Sequence, residues 1–324
     1  MANEFAVFSG RTNPELAEAI ARELGLELGN IKLEGFANGE VYARFKESVR
    51  GKHVFLIQSV ACGGLQEEID VNDSLMELLI MVDAAKRASA DKITAVISHF
   101  GYSRQDKKSA AREPITAKLV ANLLTAAGID SIIAVDLHQG QIQGFFDQPV
   151  NHLTALPIFA NYFEQKHLQN ICIVSPDVGR AKAAKKLSDI MDADLAIMAK
   201  SRPAHNVAEV SQVIGEVKGK VCILNDDMID TAGSICAGAQ ALADAGAAEI
   251  YACATHGLLS GPAYERLENS VIKEVVVTDT VRVAPERLTG KIRVATIAPL
   301  LAQAIHNVAV GESVSELFDP DFQL

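Results

Sequence analysis

The chain has too few basic residues to seek polyanions. Thirty Lys and Arg stand against 41 Asp and Glu in 324 residues, a formal charge of −11 at pH 7. Contact with nucleic acid or an anionic membrane would release no counterions from such a surface, so neither is expected as a general partner. No apolar run approaches the ~18 residues that a membrane span needs; one of the longest, Leu78 to Val82, follows Glu77. The first residues include Glu4 and no basic flank leading into an apolar stretch, so no secretory signal is expected and a cytoplasmic location is. The five cysteines (Cys62, Cys172, Cys222, Cys236, Cys253) contain no C-x-x-C pair, and three lie in apolar strand-like runs. They read as small buried hydrophobes, not as a metal or disulfide set. There is no G-x-x-x-x-G-K-[ST] and no G-x-G-x-x-G, so any nucleotide must be held without a P-loop or a Rossmann turn. Strict internal repeats and low-complexity tracts are absent too.

What is present reads as a folded α/β chain. Hydrophobic residues at 49% with 22% charged are too apolar for disorder, and the length suggests about two domains. Apolar runs predict strands at Phe5–Phe8, Val54–Gln58, Ile93–Ser98, Ile132–Val135, Ile171–Val174, Leu195–Met198, Val221–Leu224, Ile250–Ala254 and Glu274–Val277. Helix signals lie between them. Asn13 before Pro14 reads as an N-cap with proline at the first helical position, followed by the stripe Leu16, Ile20, Leu24. Leu75, Leu78, Leu79 and Val82 repeat the pattern, as do Leu119, Val120, Leu123 and Leu124 before a stop at Gly128. Strand and helix in alternation imply mainly parallel sheets flanked by helices. Pro149 and Pro157 flank a polar stretch that divides the chain into residues 1–150 and 151–324. Acidic residues close several apolar strands: Asp136, Asp177, and the pair Asp226 and Asp227. In open α/β sheets ligands gather at those carboxyl ends.

The richest segment follows Leu224: Asn225, Asp226, Asp227, Met228, Ile229, Asp230, Thr231, Ala232, Gly233, Ser234, then a helix through Ala245. Helix-start amides, two hydroxyls and a glycine suit a phosphate. The adjacent carboxylates do not; they suit the vicinal hydroxyls of a sugar as acceptors, or a magnesium ion bridging to it. A capped helix with Thr231 or Ser234 as N-cap and acids favoured by the dipole would account for an ordinary strand end, but two adjacent acids, a third acid three residues on, then Thr-x-Gly-Ser is a rarer run. The run closely resembles the phosphoribosyl-pyrophosphate loop of the type I phosphoribosyltransferase fold.

Further runs narrow the resemblance: Phe36-Ala37-Asn38-Gly39-Glu40; Gly101-Tyr102-Ser103-Arg104-Gln105-Asp106-Lys107; Asp136-Leu137-His138 leading to Gln141-Ile142-Gln143-Gly144-Phe145-Phe146; and Ser175-Pro176-Asp177. Together they resemble the phosphate-regulated class of ribose-phosphate diphosphokinases (phosphoribosyl pyrophosphate synthetases) over essentially the whole chain. The resemblance implies two similar phosphoribosyltransferase-type lobes, with the last residues packing back on the first. It implies that ATP and ribose 5-phosphate give phosphoribosyl pyrophosphate and AMP, with Mg2+ as cofactor. Phe36 would cover the adenine, with Asn38, Gly39 and Glu40 nearby and supplied by a neighbouring subunit. Arg104 and Gln105 would contact the nucleotide and Asp106 its base. His138 and Asp177 match the metal positions, and Asp226, Asp227 and Asp230 through Ser234 (Thr231, Ala232 and Gly233 between) the ribose 5-phosphate loop.

Lys200, Ser201, Arg202 and Pro203, with Asn206 to Glu209 beyond, match the family's catalytic loop. Diphosphoryl transfer needs cations on the oxygens that gain charge, and Lys200 and Arg202 would supply them, Arg202 also touching the sugar phosphate. Ser48 and Arg50, Arg87 and Ser89, and Ser313 and Ser315 resemble an allosteric site for inorganic phosphate and ADP in a homohexamer. Some positions depart from the family pattern. Arg180 stands where a second glycine is usual, and residues 61–70, with Glu67 and Glu68, form a longer stretch. His99 replaces a common proline, Gln139 and Gly140 replace small residues, and Asn225 precedes the acid pair. A plain phosphoribosyltransferase would share the 226–234 loop without needing Phe36 to Glu40, Arg104 to Asp106 or Lys200 and Arg202. A non-catalytic regulatory subunit would keep the fold and lose the chemistry, whereas Lys200, Arg202, His138 and Asp177 are retained.

Overall fold

The computed structural model describes residues 5–63, 69–201, 210–288 and 290–318. They divide into two compact units, the first holding the chain through Thr154 with Thr280–Arg282 and the segment from Thr296, the second the chain between.

In the first unit β1 (Phe5–Ser9), α1 (Pro14–Glu23), β2 (Ile31–Gly35), β3 (Val41–Phe45), β4 (His53–Gln58), α2 (Val71–Arg87), β5 (Lys92–Ile97), α3 (Thr116–Ala127), β6 (Ser131–Val135) and β7 (Val150–Leu153) follow one another. A five-stranded sheet has the order β1-β4-β5-β6-β7, every pairing parallel. All six residues of β4 are buried, as a parallel strand covered on both faces must be. The helix starts follow local chemistry. Asn13 Oδ1 accepts the Leu16 N–H at 3.4 Å with Pro14 in the first turn, and Asp70 Oδ1 accepts from Asn72 and Asp73 at 2.7 and 2.9 Å. Gly128 ends α3 in the left-handed conformation at φ 112°. Leu16 and Ile20, Leu78 and Val82, and Val120 and Leu124 enter the core. Leu119 and Leu123 do not; they are exposed on the outer side of α3, because a full leucine stripe is wider than the face that α2 and the sheet cover.

The second unit runs α4 (Leu156–Glu164), β8 (Ile171–Ser175), α5 (Ala181–Ile190), β9 (Asp194–Ser201), β10 (Val210–Ile214), β11 (Val221–Ile229), α6 (Gly233–Asp244), β12 (Glu249–Gly257), α7 (Ala263–Glu268), β13 (Glu274–Thr278) and β14 (Ile292–Ala295). Its seven-stranded sheet has the order β10-β9-β8-β11-β12-β13-β14, with only the β9–β10 pair antiparallel. α8 (Ala298–Val310) belongs again to the first unit. The Thr280 carbonyl there accepts from Ser59 Oγ at 2.8 Å and Ser98 Oγ at 2.7 Å.

Each predicted strand is present. The elements beyond those predicted are the antiparallel β2–β3 hairpin and the sheet edges β7, β10 and β14. Cys172, Cys222 and Cys253 are buried as expected, but Cys62 is exposed and Cys236 half-buried. Among the described residues no helix is long and apolar enough to cross a membrane.

The most deeply buried carboxylate described in the first unit is Glu77. Glu77 on α2 is fully buried and accepts the Arg11 N–H at 2.7 Å and Gln58 Nε2 at 3.0 Å, while its other oxygen pairs with Arg11 Nε. Removing one partner of a buried pair leaves the other charge uncompensated. Glu77→Ala is therefore expected to destabilise the protein by about 3 kcal/mol or more, read as a lower urea midpoint. Arg87→Ala, which breaks only an exposed pair with Asp83, should leave that midpoint unchanged.

Candidate functional site

β8 and β11 run side by side only as far as Val174 and Leu224. β11 continues to Ile229, paired from Asn225 onward with β12 alone: Asn225 with Cys253, Asp226 with Ala254, Met228 with His256. The acids thus lie on the strand itself, beyond the predicted end at Leu224. The chain leaving β8 turns over them. Ser175 Oγ donates to the Asp177 carbonyl at 2.6 Å, and Asp177 Oδ1 accepts the Arg180 N–H at 3.0 Å.

This turn delivers Arg180 to the acid pair. Its Nε lies 3.8 Å from Oδ1 of Asp226 and 3.8 Å from Oδ1 of Asp227. That is ion-pair range but too long for a hydrogen bond, and the buried Nε–H has no hydrogen-bond partner. Side-chain exposures are 15% for Arg180, 22% for Asp226 and 3% for Asp227. Asp226 Oδ1 accepts the Asp227 N–H at 2.8 Å. Burial, reinforced by the Asp227 carboxylate and opposed by Arg180, pushes the Asp226 carboxyl up to about 7.

Beyond β11 the chain makes the tight turn Asp230-Thr231-Ala232 into α6. Ala232 occupies the N-cap in the left-handed region, φ 58°, and no side-chain hydrogen bond caps the helix start. The first-turn amides stand at the positive end of a helix 12 residues long, where an outside acceptor is favoured. Ser234 and Thr231 are exposed beside them and Asp230 is half-buried. Arg266 of α7 braces the turn, Nη1 donating to the Thr231 carbonyl at 2.9 Å. Sequence reasoning missed Arg266 because it lies 35 positions from Thr231 in an unremarkable helix.

The residues expected to meet the nucleotide lie in the first unit. Phe36, Asn38, Gly39 and Glu40 form the tip of the β2–β3 hairpin, closed by Phe36 N–H to Glu40 O at 2.7 Å and Gly39 N–H to Phe36 O at 2.8 Å. Asn38 Oδ1 accepts the Glu40 N–H at 3.2 Å, and Gly39 has φ 88°. Phe36 is 49% exposed, its ring 5.9 Å from that of Tyr42. After β5 the chain turns sharply. A Cβ on Gly101 would lie 2.7 Å from the Val60 carbonyl oxygen, and Tyr102 has φ 65°, so glycine is required there. The turn exposes Arg104 and Gln105 and buries Asp106, whose Oδ2 accepts from Gln141 Nε2 at 3.2 Å. His138, half-buried, follows β6 in the turn before Gln141.

Lys200 is next to last in β9; its side chain and the whole of Arg202 lie outside the described residues, as do Glu67 and Glu68. Of the residues expected to form a regulatory phosphate site, the structure brings two pairs together. Arg50 N–H donates to Ser48 Oγ at 3.4 Å, and Gly51 N–H donates to the Ser89 carbonyl at 2.9 Å, next to Arg87. Ser313 and Ser315 lie elsewhere, after α8 in a turn that packs against the β7 edge.

The Asp226 carboxyl makes a pH-dependent contribution of defined sign. Protonation is the form that burial favours, so its stabilisation is full below the unfolded value of 3.8 and is lost as pH rises through about 7. Asp226→Asn keeps a neutral group throughout. Its stability gain over the parent should grow from pH 4 to pH 7 and level off above, reaching on the order of 2–4 kcal/mol. Parallel stability curves against pH, measured by urea unfolding, would contradict this.

Comparison with known proteins identifies the family. A family model for the N-terminal domain of ribose phosphate pyrophosphokinase matches residues 5–128, and one for the phosphoribosyl synthetase-associated domain matches residues 175–319. A ribose-phosphate pyrophosphokinase of Caldanaerobacter subterraneus is 53% identical over 98% of this chain and 98% of its own length. That of Fusobacterium nucleatum is 50% identical over 98% and 99%. The crystal structure of phosphoribosylpyrophosphate synthetase from Mycobacterium smegmatis superposes with a TM-score of 0.88 at 44% identity, covering 94% of this chain and 99% of that one. With half its residues shared end to end and the same fold in both units, the chain belongs to the ribose-phosphate pyrophosphokinase family.

Proposed function

We propose that the protein transfers the diphosphoryl group of ATP to the 1-hydroxyl of ribose 5-phosphate, giving 5-phosphoribosyl 1-diphosphate and AMP. The observation that carries this is the join between β11 and α6: a carboxylate pair on the strand, then a helix N-terminus with no side-chain cap. The helix amides with Thr231 and Ser234 would hold the 5-phosphate. Asp226, Asp227 and Asp230 would accept the ribose hydroxyls. Phe36, Asn38, Gly39, Glu40, Arg104, Gln105 and Asp106 would receive the nucleotide, Phe36 offering an exposed ring face. These nucleotide residues favour the diphosphokinase over a plain phosphoribosyltransferase.

In the reaction the sugar O1 bonds to the β-phosphorus as the bond from that phosphorus to the α–β bridging oxygen breaks. The hydroxyl proton leaves to solvent and AMP departs with the bridging oxygen. Such a transfer needs positioning and charge stabilisation, not a covalent enzyme intermediate. Lys200 and Arg202 would meet the charge that builds on the transferring oxygens. Asp177, exposed and with only one oxygen engaged by the Arg180 N–H, fits a magnesium ion that takes its remaining ligands from water and phosphates; His138, which matches the family's other metal position, would act through water. Bound there, the ion would neutralise phosphate charge.

The unpaired cysteines suit the reducing cytoplasm. Ser48, Arg50, Arg87, Ser89, Ser313 and Ser315 would bind regulatory phosphate or ADP in a pocket between subunits of a homohexamer.

Phosphorus NMR of the protein with ATP, ribose 5-phosphate and Mg2+ should show AMP and a 1-diphosphate sugar appearing together, and Lys200→Ala should slow this by about 10²-fold or more. A folded protein that binds ATP without turnover would point instead to a regulatory subunit. Inorganic phosphate should accelerate the reaction, and Arg50→Ala should lose that response; a variant that keeps it in full would remove Arg50 from the regulatory site.

A further inference from the structure

The acid pair on β11 leaves two chemistries open, acceptance of sugar hydroxyls or ligation of a divalent cation, and Arg180 decides between them. It is not a surface cation: its side chain is 15% exposed, the turn capped by Asp177 fixes its backbone, and its Nε is equidistant, at 3.8 Å, from one oxygen of each acid.

We propose that Arg180 is a positioning residue that serves Asp226 and Asp227 as a built-in monovalent counter-ion, keeping divalent metal off the pair and leaving its carboxylates as acceptors for the vicinal hydroxyls of the sugar. Three observations carry this, and it rests on the function proposed above only for the identity of the sugar. First, a metal ligated by these oxygens at about 2.1 Å would sit within a few ångströms of a fixed positive charge in a poorly solvated place, where like charges repel strongly. Second, magnesium keeps several waters around it, for which side chains exposed by 22% and 3% leave little room, whereas a sugar hydroxyl needs only one accessible carboxylate oxygen as acceptor. Third, the Nε–H is buried and without an acceptor. An unsatisfied donor is completed by a ligand oxygen and never by a cation. Magnesium at Asp177 is unaffected, since Arg180 engages that residue only through its backbone N–H.

The test separates this inference from the proposed function. Mn2+ binding to the sugar-free protein is followed by electron paramagnetic resonance for the parent, Asp227→Asn, Arg180→Gly and Arg180→Gly/Asp227→Asn. Arg180→Gln serves as a second neutralising variant should the glycine loosen the turn. The expected result is that Asp227→Asn leaves parent Mn2+ binding unchanged. Both neutralising variants gain an additional site, at least about tenfold tighter than anything the parent offers there, and the double variant loses it. Arg180→Lys should restore the parent pattern. Loss of bound Mn2+ on making Asp227→Asn in the parent, or no gained site in either neutralising variant, overturns the proposal. In calorimetry, ribose 5-phosphate should bind the parent with the same affinity in EDTA as in Mg2+, within about twofold, and bind Arg180→Gly in a metal-dependent way. Parent binding that needs the metal would also overturn the proposal. Failure of ribose 5-phosphate to bind under either condition would refute the assigned function instead, while the Mn2+ result would still decide the role of Arg180.

Discussion

A mismatch in strand length organises the second unit. β8 stops at Ser175 and its neighbour β11 runs on to Ile229. Had the two ended together, Asp226 and Asp227 would sit in a loop, wet and ordinary. Because β11 continues against β12 alone, its free side is covered by the turn out of β8, and the acids become half-enclosed neighbours of Arg180. The burial that lifts Asp226, the orphaned Arg180 N–H and the direction in which the chain enters α6 all follow from those extra residues of strand.

The first unit achieves its precision differently, through backbone that has no alternative. Gly101 lies so close to the Val60 carbonyl that any side chain would collide with it, and Tyr102 takes a left-handed conformation that a bulky residue seldom adopts. The result is a loop that presents Arg104 and Gln105 outward while tying Asp106 to Gln141. The buried Glu77 cluster lies in the same unit, joining α2, the end of β4 and the chain after β1. Buried charge is thus handled differently at Glu77 and at Arg180, sealed with hydrogen bonds on both carboxylate oxygens at the first and left incompletely met at the second.

Much of this was legible in the amino-acid order, for physical reasons. Strands buried on both faces must be continuously apolar, so β4, β5, β8, β12 and β13 stand out. Edge strands need bury only one side, and β7 (Val150–Leu153), β10 (Val210–Ile214) and β14 (Ile292–Ala295), which form sheet edges, carry Asn, His, Gln or Arg and escaped notice. The β2–β3 hairpin was hidden likewise, since none of its residues is fully buried. Asp226 and Asp227 were identifiable as a site by their spacing from Thr231 to Ser234, but carboxylates argue against a strand, so the true end of β11 was not. Arg180 was visible as an oddity; its contact with residues 46 positions away follows from the parallel register and could not be read locally. Leu119 and Leu123 show the opposite error, a periodic stripe wider than the surface available to cover it.

Ala232 says something about what this chain was selected for. An N-cap of Ser, Asp or Asn would strengthen α6 by about 1 kcal/mol, and glycine would relieve the cost of a left-handed turn. Alanine does neither. The position therefore forgoes stability that simple substitutions would supply, and what it gains is a row of amides that no side chain of its own occupies. Evolution for robustness alone would close that row, so α6 begins as a receptor and becomes fully satisfied only in company.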